Sequence, residues 1–222
     1  MKKSLKITLM AICAAALVAV SVFGTLAYLT KTAEPVKNTF VNGKLLKGEF
    51  ELWEHLAEPN NDGRYSLNSS AAPVKANEYT VLPGVPLPKD PYVTVDLADY
   101  ISAYLFVEVI DNLPEGMDWT MDGANWVQLM DGENPVLNGK NEIWVYKVGE
   151  VTEGTPFEGK ASGINIINGQ TITVASTLDP ESLTEGKTLE FNAYLCQATG
   201  FENALAAWNA CFVVVPPDVE TT

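Results

Sequence analysis

Histidine is almost absent from this chain. The single copy, His55, rules out the paired-histidine helix motif of zinc proteases, and a Ser-His-Asp arrangement would have to be built on that one residue. Cysteine is scarce as well, with three residues at positions 13, 196 and 211, too few for a four-cysteine zinc site or a dense disulfide scaffold. Basic residues number 14 against 28 acidic ones. They form no basic patch, and no glycine-rich phosphate loop accompanies them, so nucleic acid and anionic lipid surfaces are excluded as partners of the folded part. Beyond the N-terminal region there is no LPxTG-type sequence and no C-terminal apolar span.

The first residues do carry a long apolar run. Lys2, Lys3 and Lys6 precede an uncharged stretch from Ile7 to Leu26, and Thr25-Leu26-Ala27 ends it with small residues at the positions a signal peptidase reads. The pattern predicts a helical secretory signal over residues 1–27, cut between Ala27 and Tyr28. The other reading is a retained anchor, since twenty apolar residues just span a bilayer, and membrane contact is then confined to the uncleaved segment. Cys13 would leave with the signal, and Ile12 before it does not suit a lipoprotein junction. Removing 27 of 222 residues leaves 195, and losing three lysines takes the net charge from −14 to −17. That length is enough for one large β domain.

The remainder alternates short β-type runs with turn residues. Residues 28–38 read as an N-terminal segment, 39–215 as the domain and 216–222 as a polar tail. Residues 38–53 predict one or two strands broken at Gly43 or Gly48, and residues 54–77 an irregular excursion. Tyr79–Leu82 predicts a short strand, followed by an extended proline-rich crossing over residues 83–91. Tyr92–Leu97 and Ala103–Ile110 form the clearest strand pair. The second is apolar on both faces except near Glu108, which marks a central strand. Asp122-Gly123 and Asn168-Gly169 predict two hairpins, over residues 119–130 and 164–174. Glu142–Val148 and Leu189–Gln197 are further strands. Phe201–Ala210 is the one helix, with Phe201, Leu205 and Trp208 on one stripe, and Cys211–Val215 is a closing strand. The sum predicts an all-β fold, an antiparallel β-sandwich of jelly-roll type with a short C-terminal helix. Phe40, Leu105, Val107, Val109, Phe191, Leu195 and Trp208 are its expected core.

Few residues suggest chemistry. Glu54-His55 with Glu58 is the one local cluster a metal could conscript. Glu58–Gly63 copies the first oxygens of a calcium loop but has Ser69 where a bidentate Glu is needed. Asp96/Asp99, Asp118/Asp122 and Asp131/Glu133 read as solvated turn residues. No catalytic residue, metal ligand or cofactor is expected. Cys196 and Cys211 are either bridged or two buried thiols, because spacing alone does not fix the distance between them.

Three segments carry a family resemblance: the order Gly24-Thr-Leu-Ala-Tyr-Leu-Thr30 followed by Asn38-Thr39-Phe40-Val41-Asn42-Gly43; Leu82-Pro83-Gly84 through Lys89-Asp90-Pro91-Tyr92-Val93-Thr94-Val95 and on to Ala103–Val109; and Ala193-Tyr194-Leu195-Cys196-Gln197-Ala198-Thr199-Gly200-Phe201 with Ala207-Trp208. Together they resemble the TasA/camelysin-type secreted proteins of Gram-positive bacteria. The resemblance implies a β-sandwich and export through a dedicated signal peptidase, SipW, as a partner. It also implies a non-enzymatic extracellular subunit that self-associates into biofilm-matrix fibres. The residues themselves suggest how: cleavage frees the polar segment Tyr28–Asn38 ahead of a strand-like run, so Asn38, Thr39, Phe40 and Val41 are the candidate segment donated between copies, the other reading being a tail over 28–38 and an ordinary edge strand over 39–50. The alternatives are a monomeric cell-surface binding module and the metallo-endopeptidase activity ascribed to the camelysin branch. Intact-mass measurement of the secreted protein is expected to find Tyr28 at its N-terminus. A species retaining Cys13 would establish the anchor instead.

Overall fold

The computed structural model describes residues 45–183 and 187–213. The cleavage pair Ala27/Tyr28, the segment Asn38–Val41 with the core candidate Phe40, and the tail 216–222 lie outside the described residues.

The described chain is an antiparallel β-sandwich with one helix packed on its outer face. Strand β1 (Leu46–Trp53) runs into a small hairpin of β2 (Leu56–Pro59) and β3 (Tyr65–Asn68). Next come β4 (Leu87–Pro88), β5 (Tyr92–Leu97) and the ten-residue β6 (Ser102–Asp111). Short strands β7 (Met117–Asp118), β8 (Trp126–Gln128), β9 (Met130–Asp131), β10 (Asn134–Pro135) and β11 (Leu137–Asn138) lead to β12 (Asn141–Tyr146). The last are β13 (Phe157–Glu158), β14 (Lys160–Asn165), β15 (Thr171–Val174) and β16 (Leu189–Gln197), followed by helix α1 (Ala204–Cys211).

One sheet has the order β1-β5-β14, and a smaller one has the order β4-β15-β7. The opposing sheet is built on β6, which pairs with β16 along nine residues and with β12 and β13. The alternation of side chains explains the layers. Val93, Val95 and Leu97 of β5 and Ala103, Leu105, Val107 and Val109 of β6 all point into the core between the sheets and are buried. Tyr104 and Phe106, on the reverse face of β6, join Ile143, Val145, Cys196 and Trp208 in a second core under α1. A strand buried on both faces reads as a nearly continuous apolar run, as β6 does. Gly48 sits at the irregularity in the β1/β5 ladder, where a Cβ would come 2.6 Å from Asp96 Oδ2.

Several expectations need correction. Residues 54–77 hold the β2/β3 hairpin, because Asn60 Oδ1 accepts from the backbone N–H groups of Asp62 and Arg64 and closes a turn between them. Residues 79–82 form no strand; Thr80 N–H donates to the Tyr65 hydroxyl and the Tyr79 hydroxyl to Pro88 O, so side chains fix this segment in place of a ladder. Asp122-Gly123 and Asn168-Gly169 are turns, but neither makes a hairpin. The strands around the first pair with β15 and β12, and those around the second with β5 and with β4 and β7. The turn residues bend the chain, and burial then selects partners from other parts of the sequence.

At the C-terminal end, Cys211 closes α1 and does not open a strand. Asn203 caps this helix, its Oδ1 accepting from Ala206 N–H. Its buried face is Ala204, Ala207 and Trp208, with Phe201 and Leu205 only half-buried. Phe191 and Leu195 are likewise half-buried, because β16 is the edge of its sheet. Leu105→Ala is therefore expected to cost about 2–5 kcal/mol in chemical denaturation, and Leu195→Ala clearly less.

Candidate functional site

Two features stand out from the framework, a cleft at the edge of the sandwich and a charge buried on its outer face. The cleft begins with two adjacent dipeptides. Trp53 of β1 faces Tyr92 of β5, so Glu54-His55 and Lys89-Asp90 lie opposite each other just past that pair. Successive residues of an extended chain point to opposite faces, so Glu54 meets Lys89 on one face and His55 meets Asp90 on the other. Lys89 Nζ donates to Glu54 Oε2 at 2.8 Å, with both side chains nearly buried. His55 Nδ1 meets Asp90 Oδ2 at 2.5 Å, and His55 N–H donates to Asp90 Oδ1 at 3.1 Å. Nearly buried charges such as Glu54 and Lys89 require partners, and removal of either leaves the other stranded.

The cleft, of about 570 Å³, opens where the end of β1 meets the start of β16. Leu52, Leu87, Met117, Ile172, Leu189 and Phe191 supply much of its lining, so the core of the sandwich is reached from this side. Glu54 and Lys89 stand in its wall, and Glu54 Oε1 is buried without a hydrogen-bond partner among the described residues. Lys75 Nζ lies 3.5 Å over the Trp53 ring and donates to Glu51 Oε2 and Leu52 O, closing off the end of β1. Tyr79 also lines the cleft. Burial first, then the charges of Glu54 and Asp90, push its hydroxyl well above the ordinary tyrosine range, so it stays protonated. Beyond the cleft, β16 has no strand on its outer edge among the described residues. Apolar walls beside a free strand edge suit an extended or compact apolar occupant.

The cluster read from sequence as a metal candidate is dispersed. Glu54 turns to Lys89 and His55 to Asp90, while Glu58 accepts from Asn68. Among the described residues no group of three His, Cys, Asp or Glu is arranged to hold a metal ion. His55 and Asp90 form the base-and-orienter half of a triad, but no hydroxyl or thiol hydrogen-bonds the other ring nitrogen among the described residues. Cys196 and Cys211 are joined in a disulfide, with Cα atoms 6.6 Å apart, which ties the end of α1 to β16. Family models, curated proteins and solved structures gave no match to this chain.

The second feature is Glu108, on the outer face of β6 and 3% exposed. Its Oε1 accepts from the amides of Asn138 and Asn141, and its Oε2 from Asn192 and the Tyr194 hydroxyl, at 2.7–3.0 Å. No cation takes part among the described residues. Burial alone would raise the Glu108 carboxyl, but four donors outweigh it and hold the group below the ordinary glutamate range. The same arrangement, burial first and the Glu108 bond second, pushes Tyr194 up to about 12. Sequence reading placed Glu108 at a gap in the cover of β6 and missed all four partners. The one local signal was the pairing register of β16, which carries Asn192 and Tyr194; Asn138 and Asn141 come from the separate β11/β12 hairpin.

A depressed carboxyl contributes stability above its unfolded value and loses it as pH falls through the lower folded value. Glu108→Gln keeps the shape but turns an acceptor into a donor among donors, and is expected to cost about 1–3 kcal/mol at neutral pH. Denaturation midpoints across pH are expected to show a shallower acid limb for the variant than for the parent.

Proposed function

We propose that this chain is a secreted, non-enzymatic structural protein of the TasA/camelysin kind. In this reading it is a subunit of an extracellular fibre, exported through a SipW-type signal peptidase and assembled by donation of its N-terminal segment to the next copy. The observation that carries this reading is the open seam between β1 and β16. A nine-residue edge strand has no outer partner among the described residues, and beside it an apolar cleft leads to the core. An exposed strand edge next to apolar pockets is the acceptor that strand addition needs: backbone hydrogen bonds supply affinity, and alternate side chains supply specificity.

The donor in this reading is the stretch ahead of β1. Asn38, Thr39, Phe40 and Val41 offer two large apolar groups to such a seam, and Tyr28–Asn38 supplies the reach. Addition of one copy's segment to another copy's seam is heterologous, so it propagates without closing. Cleavage after Ala27 would free the segment outside the cell, and a tethered N-terminus would hold assembly back until then. The surplus of acidic residues keeps free copies apart and soluble.

A protein lacking Tyr28–Asn38 is expected to remain folded and monomeric by size-exclusion chromatography. Electron microscopy is expected to show fibres only for the chain beginning at Tyr28. Equal polymerisation by both would discard strand donation, and a monomeric parent would favour the surface binding module that uses the same cleft.

A further inference from the structure

Asn-Gly occurs three times in the chain, at 42–43, 138–139 and 168–169, and the first lies outside the described residues. The other two share an intrinsic chemistry. Glycine has no Cβ to shield its backbone nitrogen or restrict its backbone, so that nitrogen reaches the preceding asparagine side chain more readily than in any other pair. The two sites differ in what surrounds them.

Asn138 ends β11 and faces Asn141 across the two-residue loop Gly139-Lys140. It is exposed, Gly139 holds φ +66, and a Cβ on that glycine would meet nothing within 4 Å. The Asn138 side chain nevertheless reaches inward, its amide nitrogen 3.0 Å from Glu108 Oε1, and Asn141 donates to the same oxygen at 2.8 Å. The loop is open to solvent while its amide is one of four donors that keep a buried carboxylate ionised. Asn168 is also exposed, in the turn before β15, but its side chain makes no hydrogen bond to a carboxylate among the described residues.

We propose that Asn138 is a spontaneous deamidation site whose conversion dismantles the Glu108 network. The Gly139 nitrogen attacks the Asn138 side-chain carbonyl carbon, ammonia leaves with the amide nitrogen, and a cyclic imide forms. One water then opens the ring at either carbonyl to give aspartate or isoaspartate, so ammonia is lost, water is gained and no redox partner is needed. Either product replaces an N–H donor to Glu108 Oε1 with a second carboxylate. Two carboxylates at that separation cannot both stay ionised in a buried site without large cost, and the hairpin end carrying the new charge is driven off β6. Isoaspartate also adds one carbon to the backbone where β11 enters the two-residue loop, and shifts β11 against β12. The reaction is one-way, so the loop acts as a timer on the outer edge of this sheet.

The test ages the full-length secreted protein in warm, mildly alkaline buffer and follows it by peptide mass mapping, enzymatic isoaspartate detection and thermal midpoint. The expected result is conversion of Asn138 with a midpoint that falls in step with it. Asn138→Asp is expected to lower the midpoint by a few degrees and Asn168→Asp to leave it unchanged. In a Glu108→Gln background, where the opposing charge is gone, Asn138→Asp is expected to add little or no further loss. Should Asn138→Asp fail to fold, the aged parent supplies the same readout. Asn138 remaining an amide while Asn168 converts would overturn the proposal. So would an Asn138→Asp loss that is the same size with and without the Glu108 charge.

Discussion

A carboxylate at the centre of a nearly dry sheet sets the terms for this molecule. Strand β6 is covered by the sandwich core on one side and by the helix-bearing layer on the other, and Glu108 sits in that second cover. An isolated charge there would cost far more than a domain's net stability, and neutralising it by protonation would still leave polar atoms to satisfy. The fold answers with four neutral donors drawn from three segments, β16 and the two strands of the β11/β12 hairpin. Those donors fix β11, β12 and β16 around β6, so satisfying one group and positioning three strands are the same event.

The C-terminal layer depends on the same strands. Tyr194 donates to Glu108 from β16 and packs edge-on against Trp208 of α1, with ring centroids 5.4 Å apart. Trp208 in turn lies 5.3 Å from Phe106 and 4.9 Å from Phe212. Edge-to-face aromatic contacts add to burial and are sensitive to small displacements. The Cys196–Cys211 bridge joins the far end of α1 to the strand that carries Tyr194. A short helix with only three buried residues would not hold its place on propensity alone. It is held by the aromatic cluster and the covalent link.

At the opposite edge the logic reverses. The crosswise pairs Glu54–Lys89 and His55–Asp90 lock the exit of β1 to the entry of β5, yet one oxygen of Glu54 is left without a partner among the described residues, beside an apolar cleft. Sandwiches usually cover or shorten such an edge, because an open strand invites another chain. Lys75 covers the end of β1 in this way. The start of β16 has no equivalent cover among the described residues, which gives the proposed acceptor its location.

The sequence by itself determined the class and the centre of the fold. Alternation in β5, β6, β12 and β16 is a local property of pleated chain, so the apolar faces of Leu105, Val107 and Val109 and the two-faced burial of β6 could be read directly. It also placed a helix near Trp208, displaced by a few residues, since caps and apolar spacing are local too. Tertiary structure alone decided who pairs with whom. Asp122-Gly123 and Asn168-Gly169 bend the chain as their chemistry requires, but their flanking strands join partners far along the sequence, because pairing is settled by which faces can be buried together. The same holds for the polar sites. Lys89 for Glu54, Asp90 for His55, and Asn138, Asn141, Asn192 and Tyr194 for Glu108 are chosen by the desolvation cost of the group they serve, and that cost exists only once the surrounding sheets have closed over it.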